Sequence, residues 1–171
     1  MAAATLHQVA TLMDQTHIGL FRLLFGPAHQ AIPHIARLIT GTHNSFSHRF
    51  ILTAVIDNDI AGIIILLPPQ RPREDDVVAM LPWTALLRIA IVRIALASLF
   101  DVDTTMMPYI QNVCGAERFQ GQEICQQLIT YVHMMPTYAD INRLHLMYHE
   151  TIPEYNRYER LGFVITKTTD A

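Results

Sequence analysis

Tyr109-Ile110-Gln111-Asn112-Val113-Cys114, then Phe119-Gln120-Gly121-Gln122-Glu123-Ile124-Cys125, then Leu144-His145-Leu146, and last Tyr158-Glu159-Arg160-Leu161-Gly162-Phe163 are the runs that decide the fold. The first is apolar and β-prone. The second opens a segment whose apolar residues recur at helical spacing through Ile124, Leu128, Ile129 and Val132. A strand that feeds a helix start makes an anion site, because the first helical turn carries unpaired N–H groups and the positive end of the dipole. From Pro108 to Phe163 the order is therefore strand, glycine-containing turn, helix, strand and short helix.

Upstream, Thr5 to Phe25 places Leu12, Thr16, Leu20, Leu23 and Leu24 on recurring turns with Gly26-Pro27 as a stop, and a second helix is expected over His29 to Ile39. Arg49 to Asp57 reads as a strand, Asn58-Asp59 as a tight turn, and Ile60 to Leu67 as the hairpin partner, ended by Pro68-Pro69. Pro68 to Asp76 reads as an exposed loop. Val77 to Phe100 is long enough to span a bilayer, but Arg88 and Arg93 near its middle each oppose insertion by about 2.5 to 3.5 kcal/mol, and Pro82 interrupts it. A buried or dimer-facing helix is expected there instead. Downstream, Asp140 to His149 alternates like a strand, Pro153 begins a short helix ending at Gly162, and Phe163 to Thr168 is expected to form the last strand.

The 171 residues fit one domain spanning 1–171, and 51% hydrophobic residues supply its core. A net charge of −3, with basic residues scattered rather than gathered into a stripe, argues against nucleic acid as a partner. Cys114 and Cys125 form neither a C-x-x-C pair nor a framework, so they read as free thiols of a reducing compartment. The cytoplasm is the expected location, since the first residues lack a basic run followed by an apolar one.

The central runs resemble the GNAT N-acetyltransferase family. Tyr109-Ile110 and Val113 look like its fourth strand, Gln120 to Cys125 falls on its pyrophosphate loop Q/R-x-x-G-x-G/A, Leu144-His145-Leu146 resembles its fifth strand, and Tyr158 to Phe163 matches the closing Y-E-K-L-G-F signature. Ala61-Gly62-Ile63 resembles the phrase of the strand in the middle of its sheet. The resemblance implies an α/β fold with a mixed, twisted sheet flanked by helices, here with an extra apolar helical insertion before the fourth strand. It also implies transfer of an acetyl group from acetyl-coenzyme A to an amine of a small molecule or protein, without a metal.

By the same resemblance, Tyr158 protonates the departing thiolate, and backbone groups of Val113, Cys114 and Gly115 hold the thioester and pantetheine arm. Gln120, Gly121, Gln122, Glu123, Ile124 and Cys125 cradle the pyrophosphate. Four positions depart from the family pattern: Gly115 stands where it has a bulky valine, Glu123 and Cys125 where it has small residues, and Thr151 where it usually has asparagine. Those departures keep a second reading open, a fold-retaining protein that acts as a binding or interaction module. Asp101, Asp103, Glu117 and His149 are the candidates for a general base. His145 and His149 share a strand face but lack any zinc-binding pattern, so a metal is not expected. The apolar helix points to a homodimer.

Overall fold

The computed structural model describes residues 3–16, 20–95, 107–135, 143–147, 155–166 and 168. Three helices open the chain: α1 (Ala3–Thr16), α2 (Leu20–Phe25) and α3 (Ala28–Thr40). A hairpin of β1 (Ile51–Ile56) and β2 (Asp59–Leu67) follows, then α4 (Asp75–Met80) and α5 (Trp83–Ala95). The second half holds β3 (Tyr109–Gly115), α6 (Ile124–Met134), β4 (His145–Leu146) and α7 (Tyr155–Arg160).

The sheet order is β1-β2-β3-β4, with β1, β2 and β3 antiparallel to their neighbours and β4 parallel to β3. β2 is an almost unbroken apolar run, which is what a strand covered on both faces requires. Ile63, Ile65 and Leu67 face a core built with α1, α2, α3 and α5, while Ala61, Ile64 and Leu66 face a second core with Ile110 and the Ile124, Leu128, Ile129 and Val132 stripe of α6. The periodicity of α6 is thus the imprint of the sheet it covers.

Two β-bulges bend this sheet. Ala54 pairs with Gly62 and Val55 with Ile60, leaving Ala61 as the extra residue of β2. Asn112 pairs with Ile65 and Ile110 with Leu66, leaving Gln111 as the extra residue of β3. A bulge adds local twist and re-aims the strand beyond it. The hairpin turn is Asp57-Asn58, one residue earlier than expected, with φ of 50° and 65°. A two-residue turn that fits strand twist needs positive φ at both positions, which Asp and Asn tolerate.

Other expectations are corrected. The apolar stretch 77–95 is two helices, because Pro82 has no N–H to continue α4 and instead accepts from Ala85 and Leu86 as α5 starts. α5 is not covered all round: Ala85 is buried, but Trp83, Leu87, Ile91 and Ile94 are 53 to 79% exposed. No described helix is long and apolar enough to cross a membrane. Residues 163–166 and 168 form no strand, since no described strand lies beside them to complete a ladder, and β-propensity alone does not make one.

Gly62 fixes how closely these layers meet. A Cβ there would lie 2.6 Å from Cγ2 of Ile124 and 2.7 Å from the carbonyl oxygen of Cys114, whereas one on Gly115 would make only ordinary contacts, at 3.6 Å from Ile124 and 3.7 Å from Cys125. Gly62→Ala is therefore expected to destabilise the protein by about 1 to 3 kcal/mol through overpacking. Gly115→Ala should stay within about 0.5 kcal/mol of the parent. Urea unfolding of both variants checks this, and equal midpoints would contradict it.

Candidate active site

β3 is the keystone of the site. Its parallel ladder with β4 consists of Tyr109 with His145 and Ile110 with Leu146, and β3 then runs on past the Gln111 bulge to Gly115, paired among the described residues with β2 alone. The Ala116 N–H donates to the carbonyl of the bulged Ala61 at 2.8 Å. Successive N–H groups of a strand point to opposite edges, so those of Val113 and Gly115 are directed away from β2, to the edge beyond the last described pair with β4. Backbone donors facing a gap inside a sheet are a place for an extended ligand to add itself.

The loop after β3 leads from that edge to the start of α6. Glu117–Phe119 forms a 3-10 turn in which Phe119 N–H bonds Ala116 and Gln120 N–H bonds Glu117, both at 2.9 Å. This turn delays the helix expected from Phe119, and α6 begins only at Ile124. Arg118 anchors the turn to Asp59 of β2 at 2.7 Å. Gly121 takes φ of +87° with nothing within 4 Å of where its Cβ would stand, so it supplies both the left-handed turn and open room. α6 starts without a side-chain cap, which leaves its first N–H groups outward with the dipole behind them.

Gln120, Gly121, Gln122 and Glu123 are exposed, Ile124 is buried in the core beneath and Cys125 is half-buried beside Gly115. The side-chain amide of Gln127 donates to the Gln122 carbonyl at 2.9 Å and ties the loop to the helix. Glu123 itself holds φ of 53° and ψ of 31°, a left-handed conformation that favours glycine. The departure seen in the sequence is therefore a strained residue as well as a carboxylate at an anion site.

The closing signature has a mechanical explanation. Gly162, at φ of +87°, ends α7; its N–H bonds the Glu159 carbonyl at 2.9 Å, while the Phe163 N–H reaches back to the Tyr158 carbonyl at 3.0 Å. That pair of bonds is a Schellman stop, and the apolar contact that accompanies such a stop is Phe163 against Tyr158, edge to face with centroids 6.0 Å apart. Leu-Gly-Phe thus clamps the tyrosine. Tyr158 is half-buried against the same core as Val113 and Ile124, on the α6 face of the sheet.

The structure therefore places Tyr158, Val113 and Ile124 around one core, with Gly115 against Ile124 and Cys125. Cys114 is half-buried and, like Cys125, not in a disulfide. Glu117 is exposed on the turn. Thr151, Asp101, Asp103 and His149 lie outside the described residues. Among those described, no group of His, Cys, Asp or Glu stands ready to hold a metal ion. Sequence reasoning missed the Gln111 bulge, for which the only signal was a run too long for its ladder.

Relieving the strain at Glu123 should help twice. Glu123→Gly removes a left-handed penalty of about 1 to 2 kcal/mol and adds about 0.5 to 1 kcal/mol of glycine backbone entropy cost, so a net gain of about 0.5 to 1 kcal/mol is expected. Differential scanning calorimetry reads this as a higher midpoint, and a lower one would show that the Glu123 side chain holds the loop.

No protein-family model and no curated protein matches the chain. Solved structures do resemble it. An acetyltransferase matches with a TM-score of 0.60 at 13% identity, over 94% of this chain and 85% of its own. An N-acetyltransferase from Staphylococcus aureus Mu50 matches at 0.55 and 12%, over 98% and 86%. A ribosomal-protein-alanine N-acetyltransferase from Brucella melitensis biovar Abortus 2308 matches at 0.51 and 14%, over 100% and 94%. At such identities the likeness speaks for architecture, and with the parted β3 and β4, the α6 loop and the clamped tyrosine it establishes that this chain has the GNAT acetyltransferase fold.

Proposed function

We propose that the protein is an N-acetyltransferase that takes an acetyl group from acetyl-coenzyme A and passes it to an amine by direct attack. The observation that carries this reading is that the last described β3–β4 pair is Ile110 with Leu146, while the Val113 and Gly115 N–H groups beyond it are turned away from β2. The thioester supplies the activated acyl group. Val113 and Gly115 hydrogen-bond the carbonyl and the extended arm, and donors fixed where negative charge develops lower the barrier. Gly121 and the N–H groups at the start of α6 hold the pyrophosphate. Tyr158 returns a proton to the departing thiolate, whose basicity is close to that of a phenol.

The acceptor is an amine of a small molecule or of a protein, the latter being the class named for the Brucella enzyme. Two cysteines that form no disulfide support a reducing compartment, for which we propose the cytoplasm. Thr151, at the family's asparagine position, is assigned to the coenzyme by that resemblance.

Acetyl-coenzyme A should raise the thermal midpoint, because a ligand of the folded state stabilises it. Gly121→Asp, which puts a Cβ and a negative charge at φ of +87°, should abolish the rise. Tyr158→Phe should lower kcat by about a hundredfold with the KM for acetyl-coenzyme A little changed. An unshifted midpoint at millimolar ligand would defeat the reading.

A second reading, an interaction module, is favoured by α5. Trp83, Leu87, Ile91 and Ile94 stand opposite the buried Ala85, so a solvent-facing apolar stripe runs along the helix. We propose that a second copy of the chain covers it. Sedimentation equilibrium should give a dimer for the parent and a monomer for Leu87→Glu with Ile91→Glu, and a monomeric parent would remove the dimer.

A further inference from the structure

We draw no further inference here: the strongest candidate, the buried Asn112 side chain on the face of β3 turned to the opening helices, whose Oδ1 and Nδ2 have no hydrogen-bond partner among the described residues, is a single amide, and nothing in the structure shows what binds it.

Discussion

Along the second half of β3, the backbone edge away from β2 has no partner strand among the described residues, and the other features of the site are arranged around that edge. Among the described residues β3 is held there by β2, and β2 is anchored on both faces: its residues from Ile60 to Leu67 are buried. The Gln111 bulge turns β3 where the ladder with β4 ends. Gly62 lets β2, the Cys114 carbonyl and Ile124 approach closely enough that α6 begins directly beneath the end of β3. A larger residue there would push the loop off the strand it serves.

Polar and backbone costs are concentrated at a few positions. Glu123 stands in left-handed space, Asn112 and Asp14 bury polar atoms without partners, and α6 leaves its first turn without a side-chain cap. Each is unfavourable in isolation, by about 1 to 3 kcal/mol for a buried orphan. They are offset elsewhere, by two continuous apolar cores and by the loop after α3. There the Asp76 carboxylate accepts from the Thr42 N–H at 2.7 Å, the His43 N–H at 2.6 Å and the Asn44 amide at 3.1 Å. These bonds hold the Asp76 carboxyl below the usual carboxylate range. Local rules broken at one place and obeyed elsewhere are what a binding site looks like in a folded chain.

The residues that read clearly in the sequence are those whose pattern is imposed by burial or by a stop. The β2 run, the stripe of α6 and the Leu-Gly-Phe clamp on Tyr158 were legible because each has a single physical cause acting over neighbouring positions. The bulges at Ala61 and Gln111 were not, since a bulge depends on the register of a partner strand. The sequence leaves undecided whether α5 is buried or presents an open face, for a similar reason: an apolar helix looks the same in sequence whether its second face is covered or open. The strand expected after Phe163 failed because Val164 and Ile165 supply propensity without a described neighbour to pair with.

The central claim is that the gap beside β3 receives the coenzyme. Hydrogen–deuterium exchange with and without acetyl-coenzyme A tests it most directly, by following the amides of Val113 and Gly115 and those of Gly121 to Gln126. Both sets should slow together on addition of ligand, because one extended molecule covers the strand edge and the helix start. Unchanged exchange at β3, whatever happens at the loop, would contradict the account.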